Sequence, residues 1–322
     1  MEMITPDSCL SSTSAPAAVP TKQAAEKRMK LAMGPLQYYW SRVEVLQFYE
    51  SLRESPADII YLGETVCSRR HELRLPDWIE VAEMLHEAGK EVVLSTQVLL
   101  ESGQDLNTMR KITENTRFQV EANDMGAVRL MQGRPFIAGP FLNVYNAPTR
   151  DLLAGMGATR WLMPLEMGKA TLQQIQTEGE HRIPAEVFSY GKLPLAFSAR
   201  CFTARNRNIP KDNCQYVCMD HPDGLMMHTK EGQPFLTING IQTQSALVYT
   251  LLDQLPDFPS LGIEVVRISP QAMHTQEILS IFRRVMDGIL SVSQGNEQLL
   301  PLMPQGPCNG YWFGRPGLEL AA

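Results

Sequence analysis

The feature that most constrains this 322-residue chain is an alternation in which short β-branched or apolar runs repeatedly give way to longer amphipathic segments. Residues 30–34 read as a first strand, and residues 43–54 as a helix whose Val45, Leu46, Phe48, Tyr49 and Leu52 make a broad apolar face. Further strands are expected at 58–62, 91–94, 118–121, 136–138, 160–163 and 185–190, separated by helices at 77–88, 106–115, 124–131, 150–155 and 166–177. An eighth strand at 263–268 leads into a helix at 271–286. Between the seventh and eighth strands, residues 235–239 add a strand outside the series and residues 243–254 read as helical. Eight such units predict an α/β fold of the (β/α)8 TIM-barrel type. An open doubly wound sheet is the competing architecture. The absence of a GxGxxG turn after the first strand counts against its dinucleotide-binding form.

Residues 1–29 are rich in Ser, Thr, Ala and Pro and end in KQAAEKR, so they are expected to form a disordered N-terminal extension in which Cys9 is incidental. Residues 30–322 then make up the barrel domain. The start of the chain lacks a secretory pattern, and no run of about eighteen apolar residues offers a membrane span. A reducing, cytoplasmic setting is expected. The net charge of −6 and pI near 5.6 argue against a protein whose main partner is nucleic acid.

Within the stretch CFTARNRNIPKDNCQYVC lie Cys201, Cys214 and Cys218, three of the six cysteines. The intervening residues are polar, basic and interrupted by Pro210, so the stretch reads as a loop after the seventh strand. Clustered thiols in a reducing compartment point to metal or redox chemistry more readily than to disulfides. A barrel gathers the loops at the C-terminal ends of its strands on one face. Cys67, after the second strand, can therefore join the three as a fourth ligand. Four thiolates suit a tetrahedral zinc or a cubane iron–sulfur cluster. Only Cys214 and Cys218 have knuckle-like spacing, and such an irregular cage favours the larger group. The bland alternative is a set of buried cysteines acting as small hydrophobes. Cys308, in PQGPCNGYWFG, is a weaker candidate in a segment that reads as a loop or turn.

Polar residues at expected strand ends, namely Glu64, Ser95, Thr96, Glu121, Asn123, Asn143, Asn146, Glu166 and Tyr190, are placed either to meet a ligand or to cap helices, with Asp124, Thr149 and Glu166 suited to capping. Glu121 and Glu186 could form a carboxylate pair for hydrolysis. Arg200, Arg205, Arg207 and Lys211 surround the thiols, where they either neutralise thiolates or an anionic substrate, or form a solvated face. No HExxH, GxSxG or phosphate-loop motif is present, and the six histidines are widely spaced.

The segments Glu186-Val-Phe-Ser-Tyr-Gly191 and Phe197-Ser-Ala-Arg-Cys201 resemble the signature of the collagenase-like U-type peptidase family. Tyr190 stands where that family usually has His, Pro194 where it has Cys, and Ala199 where it has Gly. The stretches GPLQYYW, ADIIYLGETVCSRR, DWIEVAEML, VVRISPQ and CNGYW, with Ile238 to Thr243, are similar to the branch that serves ubiquinone biosynthesis. That resemblance implies that Cys67, Cys201, Cys214 and Cys218 hold a [4Fe-4S] cluster. It further implies a heterodimer with a UbiU-like sister subunit, oxygen-independent hydroxylation of prenylated ubiquinone precursors, and their delivery by a UbiT-like, sterol-carrier-like lipid carrier. Collagenase-like peptidase activity, RNA-base hydroxylation and a non-enzymatic scaffold are the alternatives.

Overall fold

A computed structural model describes residues 28–321. The expected disorder of the extension, apart from its last two residues, and Cys9 with it, lies outside the described residues. Seven strands, β1 (Lys30–Met33), β2 (Ile59–Leu62), β3 (Glu91–Ser95), β4 (Gln119–Ala122), β5 (Phe136–Ala138), β6 (Ala158–Leu162) and β7 (Ala185–Gly191), pair in parallel, each with the next. After an inserted antiparallel sheet formed by β8 (Pro194–Phe197), β9 (Leu225–His228), β10 (Pro234–Asn239) and β11 (Gln242–Ser245), the chain returns through β12 (Val248–Thr250), which runs antiparallel to β7. Then β13 (Ile263–Ile268) pairs in parallel with both β7 and β1 and closes an eight-stranded TIM barrel. Closure leaves none of the eight barrel strands as a free edge, and the helices cover the outer face, so strands such as IIYL in β2 are buried at every position.

The connecting helices follow the expected order: α1 (Arg42–Ser51), α2 (Leu75–Glu87), α3 (Gly103–Glu114), α4 (Met125–Met131), α5 (Ala147–Met156) and α6 (Lys169–Thr177). Their starts are set by caps. Ser41 and Glu44 form a reciprocal capping box on α1, and Asp124 accepts from the Gly126 amide at 2.6 Å on α4. On α5 the cap is Asn146, which accepts from the Thr149 amide, so Thr149 lies inside the first turn. Glu166 does not cap α6, whose N-cap is Gly168; Glu166 accepts instead from the Tyr145 hydroxyl.

Two expectations are corrected here. Residues 243–254 are not a helix: they comprise β11, β12 and the start of a 3-10 segment, Leu252–Leu261. Val248-Tyr249-Thr250 is a β-branched and aromatic run, and Pro256 and Pro259 lack the amide donors that an α-helix would need. Cys308 is not in an open turn. It lies in the two-residue strand β14 (Pro307–Cys308), paired with β12 and fully buried in the main core.

Inside the barrel, Ala32, Ile59, Tyr61, Val93, Ile137 and Val265 form an apolar layer. Beside it four buried charges interlock. Arg267 Nε donates to Glu186 Oε1 at 2.6 Å, Arg267 Nη1 lies 2.7 Å from Glu121 Oε1, and Arg160 Nε lies 2.9 Å from Glu186 Oε2. The last two are charge contacts without hydrogen-bond alignment. The Tyr61 hydroxyl donates to Glu186 at 2.6 Å, and its ring lies 3.8 Å beneath the Arg267 guanidinium carbon. Side chains thus fill the barrel axis, leaving only about 30 Å³ at its mouth between Asn123, Phe141, Phe188 and Ser269.

Candidate functional site

The insertion between β7 and β12 docks over the loops that leave β1 and β2. Its β10–β11 hairpin turns through Gly240 and Ile241, with Gly240 at φ +65°, where a residue without a side chain is favoured. A short helix, α7 (Phe202–Asn206), starts against this turn: the Phe202 amide donates to Gly240 O at 3.0 Å, and the Gly240 amide donates to Thr203 Oγ1 at 2.9 Å. Cys201 is the residue that caps α7, its sulfur accepting from the Ala204 amide at 3.4 Å. The thiol-rich stretch is therefore more ordered than a plain loop, with 3-10 turns at Lys211–Asn213 and Val217–Asp220.

Between Cys214 and Cys218 the chain reverses through Gln215 and Tyr216, both left-handed at φ +51° and +54°. Consecutive left-handed residues without glycine cost energy and persist where surrounding contacts fix them. Tyr216 is fixed by Tyr39, ring centroids 5.6 Å apart, and Trp40 Nε1 donates to Pro222 O at 2.8 Å. The GPLQYYW stretch thus serves as the bed on which the insertion lies.

The outcome is one narrow cavity lined by Cys67, Cys201, Cys214 and Cys218, although Cys67 is 134 positions before Cys201. Cys67 is held from its own loop: Glu64 Oε1 accepts from the Val66 and Cys67 amides at 2.8 and 2.9 Å. The remaining walls include Arg69, Arg70, Lys211, Tyr216 and Gly240. Among the described residues no group of three or more His, Cys, Asp or Glu side chains is arranged to hold a single metal ion. All the described cysteines are unpaired thiols.

Arg70 is the residue on which the site is assembled, and the sequence alone did not single it out. Its side chain is 2% exposed. Nη1 donates to Gln37 O at 2.8 Å and Nη2 to Asn239 Oδ1 at 2.7 Å, so one guanidinium ties the β1 loop, the β2 loop and the insertion together. Asn239 Nδ2 and Gln242 Nε2 return bonds to Gln37 at 2.7 and 2.8 Å. The Arg70 Nε–H is buried without a partner. Burial pushes the Cys67 thiol up to about 11 and raises that of Cys218, with the Arg70 charge opposing the rise in both. Burial likewise raises Glu64, against the pull of Arg70. Replacing Arg70 by Gln is expected to cost about 2–4 kcal/mol, because buried acceptors on Gln37 and Asn239 lose a charged donor. Urea unfolding and limited proteolysis check this, with new cleavage expected between residues 200 and 240.

The other sequence candidates divide. Of the flanking cations, Lys211 lines the cavity and bonds to Ala199 O at 2.9 Å and to Glu101, whereas Arg207 pairs outside it with Asp220. Tyr190 donates to Gln271 at 2.9 Å, away from the thiols. Ser95, Thr96, Glu121 and Asn123 bond to one another at the barrel mouth. Glu121 and Glu186 do not form a free carboxylate pair. Burial pushes the Glu186 carboxyl up, but Arg267 and Arg160 outweigh it and hold it below the usual carboxylate range.

Among the described residues no helix is long and apolar enough to cross a membrane. The profile of peptidase family U32 matches residues 46–321. Similar solved structures include the U32 peptidase Mk0906, at 10% identity and TM-score 0.43, covering 79% of this chain and 97% of that one. A putative dihydrodipicolinate synthetase from Pseudomonas aeruginosa is 10% identical with TM-score 0.46, covering 85% of this chain and 82% of that one. The spore cortex-lytic enzyme SleL of Bacillus megaterium QM B1551 is 9% identical with TM-score 0.41, over 82% and 75%.

Proposed function

The chain belongs to peptidase family U32, and from that premise we propose that it is the iron–sulfur subunit of an oxygen-independent hydroxylase of ubiquinone precursors, of the UbiV type that its sequence resembles. The observation that carries this reading is the single cavity faced by Cys67, Cys201, Cys214 and Cys218. The donor set fits a [4Fe-4S] cluster. It offers four thiols from two separate parts of the chain on the walls of one cavity, and four thiolates are the usual protein ligands of such a cluster. The unpartnered Nε–H of Arg70 fits as well, since an N–H donor and a positive charge beside thiolates offset the negative charge of such a site.

A bound cluster supplies electron transfer. The chain's own residues do the rest. Glu64 fixes the Cys67 loop by accepting its amides, Arg70 holds the two halves of the thiol set in register, and Tyr216 with Gly240 narrows access for water. A heterodimer with a UbiU-like sister subunit, and a UbiT-like carrier presenting the prenylated substrate, complete the proposal. Peptide hydrolysis is less well supported, because the two carboxylates suited to it are held by Arg267.

In a strain lacking the chain, ubiquinone formation without dioxygen is expected to stop and an unhydroxylated precursor to accumulate, with aerobic formation unchanged. Normal anaerobic ubiquinone would overturn the reading. An RNA base that loses its hydroxyl instead would move the activity to nucleic acid.

A further inference from the structure

The described residues enclose a second, much larger space that the thiol site does not use. A cleft of about 570 Å³ opens between α2 and α3, above the C-terminal ends of β2 and β3, and Arg69 and Arg70 line both it and the thiol cavity. Barrels usually bind ligands over the axis. Here the axis is filled by the Glu121–Arg267–Glu186 network, and the roughly 30 Å³ left at the mouth has room for about two waters. The lateral cleft falls within the size range of small-molecule sites.

Its lining gives the ligand's chemistry. Trp78, Leu94 and Ile112 supply an apolar wall. The carboxylates around it are already engaged: Glu64 by the Val66 and Cys67 amides, Asp105 by the Glu101 and Ser102 amides, and Glu101 by Lys211. Lys111, on the α3 side, and Arg74, ahead of α2, make no ion pair among the described residues. The cleft therefore combines one apolar wall with two cations, Arg74 and Lys111, that no carboxylate pairs among the described residues. We infer that this lateral cleft, rather than the barrel mouth, binds the ring end of the substrate, an aromatic molecule carrying an acidic group, next to the thiol wall. The inference rests on the hydroxylase reading for the identity of the ligand, and on the cleft itself for its place.

Two probes separate charge from apolarity: the anionic dye 8-anilinonaphthalene-1-sulfonate and the neutral N-phenyl-1-naphthylamine. Fluorescence titration of the anaerobically purified protein is expected to show the anionic dye binding more tightly. Lys111→Glu, an exposed position, should weaken it about tenfold and leave the neutral dye nearly unchanged. Thr108→Trp, exposed on α3 at the cleft, should weaken both dyes and abolish anaerobic ubiquinone formation while the iron content stays at the wild-type level. Dye binding insensitive to both substitutions, or full ubiquinone formation by Thr108→Trp, would overturn the cleft assignment. Wild-type protein without iron, together with dye binding that responds as expected, would remove the hydroxylase reading and leave the cleft as a ligand site.

Discussion

Replacing Arg267 by methionine is expected to destabilise the barrel by about 3–5 kcal/mol, the usual cost of leaving a buried partner charge uncompensated. Arg267 is 3% exposed and joins Glu121 to Glu186, while methionine keeps most of its apolar length against Tyr61. The cost has a defined pH dependence. In the wild type the Glu186 carboxyl is held below the usual range, so its ionised form contributes stability above that range and loses it as pH falls toward the depressed native value. In the variant the buried Glu186 carboxylate, without Arg267, relieves its cost by taking up a proton. Urea midpoints should therefore differ most near pH 7 and draw together toward pH 4. A difference that stays constant across that range would mean that Arg267 acts through packing alone.

Anaerobic ubiquinone formation is expected to fall to background with either Cys67→Ala or Cys218→Ala, and to persist with Cys308→Ala. The first two residues face the shared cavity from different parts of the chain, whereas Cys308 is packed in the main core, where its thiol is pushed up to about 12 by burial. Removing one small buried side chain from the core costs roughly 1 kcal/mol and leaves the fold intact. The measurement is quinone extraction from cells grown without dioxygen, with far-UV circular dichroism of each purified variant. Equal loss in all three variants would point to instability. Full retention in Cys67→Ala would separate the barrel thiol from the function.

The barrel was legible because its strands are buried on both faces and so appear as short apolar runs, IIYL in β2 and VVL within β3 among them. The meeting of Cys67 with the later thiols followed from topology, since parallel strands place their C-terminal loops on one face. Of the inserted sheet only β10 was legible, as the run at residues 235–239. β9 is only partly buried, and β11 reads QTQS, with Gln242 and Gln244 both fully buried, the first bonded to Gln37 and Asn239, instead of the alternation that marks a strand. Arg70 was missed for a related reason. In CSRR it resembles a solvated basic pair, and only partners 33 and 169 positions away, Gln37 and Asn239, make it interior. Left-handed Gln215 and Tyr216 gave no sequence sign, because neither residue type favours that conformation.

The most direct measurement is iron, acid-labile sulfide and zinc analysis of the wild-type protein purified without dioxygen, alongside its visible spectrum. About four irons and four sulfides per chain, with broad visible absorption, are expected if Cys67, Cys201, Cys214 and Cys218 hold a [4Fe-4S] cluster. One zinc per chain with no sulfide would contradict the cluster and make the four thiols a structural clasp between barrel and insertion.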